Sequence, residues 1–489
     1  MPRLISCFCI FLFALAINPI NTSHAQTASA LEVYPNRELQ TFDGMGCGSI
    51  FYSGHIASFS KRKKHELQSK FYDELFTDVR TDFLHVMIRP DFEPENDNDD
   101  PYLVEFEEAD FEKNRDLQHV CQAAKERRPE MKIYATLYTP PAWMKTNNAA
   151  TGGGKKKATL KEDLELECAE YMWAYLKHMS ENGLPVDYLS ISNECDFTHS
   201  QPSFFMGPSR HAKLFKVVTE YFDEMETRFP DVPRPLLVAP NGLSAIDAGK
   251  RYLPALKSAQ KRVDVIGSHD YDRRPGRWEA LREIAGKRRP VWCTEWCWNG
   301  KDWSKGLILS ANGSWSSMID SFNAGVNVWM AYDWAYPPRP GGGEAMSLIE
   351  WGTSYEHTKM YHCFAQWCNA LEPGMHVVES EMTAPQIPVI SPHHGPTKKR
   401  HDGVKACAFF GGAENQLVVH VVNLQSKESE FTLHVNGGRY RNAVAAVTKS
   451  SAEECNQAQA ELTLKRGKVV DSLKPNEMAT YIFTTGKGN

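Results

Sequence analysis

The sequence predicts a (β/α)8 barrel with a β-sandwich attached, and three observations point to it. Between residues 43 and 371, short apolar runs alternate with stretches of helical periodicity through eight repeats. Beyond Gly374 the texture changes to short alternating runs split by Gly, Asn and Lys. Two of the apolar runs, YLSISNE (Tyr188 to Glu194) and PVWCTE (Pro290 to Glu295), end on a glutamate. The C-terminal ends of the strands are where such a barrel gathers its chemistry.

The eight strands expected are Asp43 to Gly48, Phe83 to Arg89, Lys132 to Tyr138, Tyr188 to Glu194, Leu236 to Pro240, Val263 to Tyr271, Pro290 to Glu295 and Asn327 to Trp334. Helices fall between them. In Ala158 to Asn182 the residues Leu160, Leu164, Cys168, Tyr171, Tyr175 and Met179 recur every three or four positions, and Asn182-Gly183 with Pro185 ends the run. Met360, Phe364, Trp367 and Leu371 repeat that pattern before Pro373-Gly374. Further along, Val404 to Phe410, Gln416 to Asn423, Glu430 to Val435 and Ala479 to Phe483 are expected as strands, with Ile387 to Gly403 as a loop. Leu31 to Leu39 precedes the first barrel strand and is expected to join the sandwich. The barrel then spans 40–374, and the sandwich 31–39 with 375–489.

The chain has 489 residues, enough for a large core, and 12 tryptophans. A net charge of −6 spread over the whole chain gives no basic patch for nucleic acid. Arg3, the apolar run Leu4 to Ile17 and the small-residue sites Ser23-His24-Ala25 and Ala28-Ser29-Ala30 make 1–25 a secretory signal, so a secreted or periplasmic protein is expected. No later stretch approaches the roughly 18 apolar residues of a membrane span. Ten cysteines remain after Cys7 and Cys9 leave with the signal, and none forms a C-x-x-C. Cys195, Cys293 and Cys297, beside the two glutamates, are expected as buried thiols or a nearby disulfide rather than as metal ligands. A monomer without metal or cofactor is expected.

The chemistry centres on RPVWCTEWCWNG (Arg289 to Gly300), which places Glu295 among Trp292, Trp296 and Trp298. Aromatic faces pack against the C–H faces of a sugar, while a carboxylate attacks it. A glycosidase of the usual kind needs a second carboxyl, and Glu194 supplies one in the same setting. The plainer reading of both is acids exposed at strand ends. Trp143 is expected at a pocket rim, His269 and Tyr271 in SHDYD as ligand contacts or structural groups, and Trp329 and Trp334 as core or sugar platform. The acidic run Asp91 to Asp100 lacks the glycine and terminal glutamate of a calcium loop and is expected as a solvated loop, like Lys155 to Lys157. Arg339 is a candidate contact for an acidic sugar.

YTPPAWMKTNN (Tyr138 to Asn148), Gly152-Gly153-Gly154, LSISNE, VWCTE and TKMYHCFAQWCNALEPG (Thr358 to Gly374) together resemble glycoside hydrolase family 30. That resemblance implies a clan A barrel with an attached β-sandwich, and a retaining β-glycosidase. It also implies Glu194 as general acid/base, Glu295 as nucleophile, Asn193 bound to the sugar hydroxyl beside the reacting carbon, Trp143 lining the pocket and Tyr271 steadying Glu295. Trp298, Trp334 and His269 complete the candidate sugar contacts. The chain departs from the family where Cys195 and Asp196 follow the acid/base in place of proline, and where His85 stands near an expected arginine. Both changes bear on which sugar is cut. A non-catalytic carbohydrate-binding protein is the alternative, though such a protein would normally have lost one of the two carboxylates. No G-x-S-x-G, H-E-x-x-H or G-x-x-x-x-G-K-[ST] occurs to suggest another hydrolase.

Overall fold

The computed structural model describes residues 29–107, 110–272, 274–297, 308–338, 345–391 and 395–484. Eight parallel strands, Gly44–Ser49, Phe83–Ile88, Lys132–Leu137, Tyr188–Ser190, Leu236–Gly242, Val265–His269, Val291–Trp296 and Val328–Ala331, form a closed barrel. The eighth pairs with the first in the register Gly44↔Val328. The interior is packed by Phe83, Tyr134, Val238, Val265, Trp292, Val328 and Met330, with Tyr188 against them. Most of these come from the first half of their strands, which leaves the C-terminal ends open to polar residues.

The helices bury the stripes their spacing predicts. Glu165–Glu181 turns Cys168, Met172, Tyr175 and Met179 inward, and the chain leaves it through Gly183 at φ +72°, a conformation glycine adopts without a Cβ clash. Lys359–Cys368 buries Met360, Phe364 and Trp367.

Three expected elements differ. The fourth strand stops at Ser190, and the last four residues of YLSISNE turn across the barrel mouth, with Glu194 at φ +44° and its N–H on the Asn241 carbonyl at 2.9 Å. The eighth ends at Ala331 rather than Trp334. Asp333–Tyr336 then starts a small sheet with Ala345–Glu350 and Ser354–His357. The segment expected as a loop from Ile387 to Gly403 is largely a two-stranded ribbon, Gln386–Ser391 with Gly395–Asp402. Its backbone ladder needs no buried face, so the prolines and basic cluster in the sequence concealed it, and a free edge accommodates Pro388.

The C-terminal region is a ten-stranded sheet. Ser29–Thr41 lies inside it, antiparallel to His376–Thr383 and parallel to Ser429–Val435. Alternation divides the strands between two cores. Val404, Ala406, Ala408, Leu417, Val419 and Val421 join Leu31, Val33, Phe431 and Tyr481 in the sheet's own core. Cys407, Phe409, Val418 and Val422 face the other way, into the core shared with the barrel helices. The ten described cysteines carry free thiols; all are buried except Cys455, which is partly exposed.

Candidate active site

Four strand ends deliver the site. Tyr138 follows the third strand, Glu194 the fourth, His269 ends the sixth, and Glu295 lies near the end of the seventh. Shifts in ladder register near His269 and Glu295 re-aim these side chains toward the barrel axis. Behind the glutamates Asn241 ties the strands together, accepting from Thr294 Oγ1 at 2.5 Å and donating to the Ser192 carbonyl at 2.9 Å.

Both carboxyls are buried, Glu194 at 3% exposure and Glu295 at 5%. Each oxygen of Glu295 receives a phenol: Tyr138 Oη at 2.6 Å on Oε2 and Tyr271 Oη at 3.0 Å on Oε1. Each oxygen of Glu194 meets an imidazole, His269 Nδ1 at 3.0 Å on Oε1 and His199 Nε2 on Oε2. His269 Nδ1 also lies 3.6 Å from Glu295 Oε1 and so bridges the pair.

Burial pushes Glu194 up, but hydrogen bonds from His199 and His269 and their positive charge overcome it and hold the carboxyl at about 2. Glu295 moves the other way. Burial and the nearby Glu194 charge raise it against the pull of His269, Tyr138 and Tyr271. Burial alone would lower both histidines; the carboxylates raise them instead. In the free site these directions favour ionised Glu194, with protons on the histidines or Glu295. Attack by Glu295 with donation from Glu194 needs the reverse order.

Asn193 is 3% exposed and its Oδ1 has no partner, a cost of about 1–3 kcal/mol that a ligand hydroxyl would remove. Trp143 is partly buried, with Nε1 on the Glu93 carbonyl at 3.1 Å. The loop carrying it is pinned by Lys145, itself fully buried, whose Nζ donates to the carbonyls of Ala150, Thr151 and Ser203, each at 2.8 Å. Three donors meet three acceptors. Burial draws this amine down to about 7.

Trp292 and Trp296, expected around Glu295, do not form a sugar platform. Trp292 fills the barrel interior, and Trp296 packs on Trp329 at 5.9 Å, all three at most 2% exposed. Trp334 is a core residue at 0% exposure, between Phe76 and Phe364, because the bend after Ala331 turns it away from the mouth. Trp298 and Arg339 lie outside the described residues. Among the described residues, the aromatic groups bonded to Glu295 are tyrosines, Tyr138 and Tyr271. The acidic run is not wholly solvated: Glu93 is 3% exposed, and burial with Asp97, Glu170 and Glu167 nearby pushes it up to about 9.

Two site residues escape the sequence reading. Tyr138 had a signal, since it opens the double-proline motif at a strand end. His199 had none, being one polar residue in an aperiodic loop. Among the described residues, Glu194, His269 and Glu295 form the set compact enough to hold a metal, with donor atoms within 4.8 Å of one another. Their oxygens already serve His199, Tyr138 and Tyr271.

Residues 91–220, running through the double-proline loop and Asn193-Glu194, match the family model O-Glycosyl hydrolase family 30. The chain is a glycoside hydrolase family 30-like enzyme. Solved structures agree in fold. A glycoside hydrolase family 30 subfamily 8 xylanase from Clostridium acetobutylicum is 19% identical with TM-score 0.67, covering 93% of this chain and 99% of its own. The catalytic domain of a family 30 xylanase from Talaromyces cellulolyticus is 18% identical, with TM-score 0.68 over 93% of this chain and 100% of that one. An endo-β-1,6-glucanase is 15% identical, with TM-score 0.65 over 94% of each chain. What this family 30-like enzyme shares with them at such identity is the barrel with its β-rich domain.

Proposed function

We propose that this glycoside hydrolase is exported and cleaves a β-linked oligosaccharide or polysaccharide with retention of configuration. One observation carries the reading: an oxygen of Glu194 and an oxygen of Glu295 lie within 4.8 Å of each other. Retaining pairs stand about 5–5.5 Å apart, whereas inverting pairs need about 6.5–9.5 Å to admit a water.

In this mechanism Glu295 attacks the anomeric carbon and Glu194 protonates the departing oxygen, leaving a glycosyl ester on Glu295. Water, deprotonated by Glu194, then releases the sugar. Tyr138 and Tyr271 fix the attacking carboxylate, and Asn193 Oδ1 accepts from a sugar hydroxyl. The substrate reverses the free-site proton order. Positive charge growing at the anomeric carbon favours ionised Glu295, and the glycosidic oxygen beside Glu194 favours a protonated acid. His199, in contact with Glu194, holds the proton until that moment.

Xylan and β-1,6-glucan are the polysaccharides to try first, since similar structures bear those activities. Proton NMR during hydrolysis, or of an aryl β-glycoside reaction, tests the mechanism, and an α-anomer as first product overturns retention. Turnover should survive chelation; its loss, restored by one divalent ion, would assign the Glu194–His269–Glu295 cluster to a metal instead. Exported material should begin between Gln26 and Leu31 on N-terminal sequencing, and Met1 retained on soluble protein would remove the export reading.

A further inference from the structure

Away from the barrel mouth, the last barrel helix and the C-terminal sheet bring two cysteines together. Helix Lys359–Cys368 presents Lys359, Cys363 and Gln366 along one face, spaced i, i+4 and i+7. The turn from Ser450 to Asn456 runs along that face. At one end Lys359 Nζ donates to the Glu454 carbonyl at 3.5 Å. At the other, Ser450 Oγ donates to Gln366 Oε1 at 2.5 Å, and Gln366 Nε2 donates to the Thr448 carbonyl at 3.0 Å and Thr480 Oγ1 at 3.1 Å. Cys363 falls between Lys359 and Gln366, and Cys455 between Ser450 and Asn456 beside Glu454. The contacts at Lys359 and Gln366 thus bracket the two cysteines and set Cys455 against the stretch of helix that carries Cys363. The turn is itself held, Asn456 N–H on Ser450 Oγ and Ser451 N–H on the Glu454 carbonyl, each at 2.9 Å.

We infer that Cys363 and Cys455 form a disulfide that joins the barrel to the C-terminal sheet, made by exchange with a thiol–disulfide oxidant. Cys455 is partly exposed and therefore reachable, whereas Cys363 is buried. The hydrogen bond from Cys363, then Lys359, draws the Cys455 thiol down to about 6, so it reacts as thiolate; burial keeps Cys363 protonated. The Cys455 thiolate attacks one sulfur of the oxidant's disulfide, forming a mixed disulfide and expelling one thiolate. Cys363 loses its proton and attacks the Cys455 sulfur, expelling the second. Two protein thiols are oxidised, one external disulfide is reduced to two thiols, and the protons pass to the leaving groups.

The test uses the full chain, reduced, freed of reductant and incubated with oxidised glutathione. The expected product is lighter by two hydrogens, carries no glutathione, and yields on non-reducing digestion one peptide pair linking Cys363 to Cys455. In Cys363→Ala the exchange should stop at a stable glutathione adduct on Cys455, and Cys455→Ser should consume no thiol. A lasting glutathione adduct on Cys455 of the unaltered protein overturns the inference. So does a linkage to any other cysteine, or thiols that all survive the oxidant.

Discussion

The barrel mouth and the seam between barrel and sheet each bury a histidine completely, and the two titrate in opposite directions. At the seam His420 stacks on Trp367 at 4.0 Å and meets Trp315 edge-on at 5.2 Å, with Nδ1 and Thr480 Oγ1 3.0 Å apart. With no charge to offset it, burial takes His420 down to about 3. At the mouth His269 is equally buried, yet Glu295 and Glu194 raise it. Burial thus fixes the sign only where nothing answers it. The seam buries aromatic surface for cohesion, and the mouth buries charge for reaction.

The largest expected effect is at the mouth. Glu295→Ala should cut turnover by about 10⁴- to 10⁶-fold, as loss of a nucleophile does, without lowering the melting temperature, since it removes a buried acid that burial disfavours. Azide then separates the glutamates. With Glu194→Ala it should restore turnover and yield a β-glycosyl azide, whereas any azide product of Glu295→Ala should be the α-anomer. The opposite pairing would follow the free-site proton order and exchange the two roles.

Next comes the seam. Trp367 is fully buried and packs against Trp315, Phe322 and His420. Trp367→Ala should cost about 3–5 kcal/mol in denaturant unfolding while leaving turnover per folded molecule unchanged. If it alters the chemistry as well, the two regions are coupled and the comparison breaks.

Lys145→Met should cost less, about 1–3 kcal/mol, because three carbonyls, that of Ser203 buried, lose their donor. Its signature should be a raised KM through the displaced Trp143 loop. An unchanged KM would separate the loop from substrate binding.

The smallest effect is a pH profile. Glu194 is depressed in the folded state, so its stabilisation is present above its ordinary value of about 4.5 and fades as pH falls toward about 2. His199 is raised, so its contribution is full below about 6.5 and lost as pH climbs through its folded value. His199→Gln should weaken the pair and flatten both flanks of stability against pH. A stability curve identical to that of the unaltered protein would dissociate His199 from Glu194.

What the sequence made legible is what repeats. All eight barrel strands lie within a few residues of expectation because each is a run of apolar residues, and both glutamates stand out because each closes such a run. Boundaries fail where a strand bends: Trp334 lies past the turn after Ala331, and Ile191 to Glu194 leave the ladder although they continue the pattern. Tryptophan identity says nothing of direction, so Trp292 and Trp296 were legible as aromatic neighbours of Glu295 and illegible as core. His199 reaches Glu194 through loop geometry that leaves no periodic trace.

The position of Ser29–Thr41 governs how this molecule can assemble. It occupies an interior place in the sheet, with one neighbour from residues 376–383 and the other from 429–435. The earliest described strand therefore stays unpaired until residues 376–383 have been made, while the barrel can close without it. Closing contacts across such a separation is slow, and until then the sheet presents two raw edges able to recruit another chain. Processing that removed Leu31 and Val33 would leave that gap open.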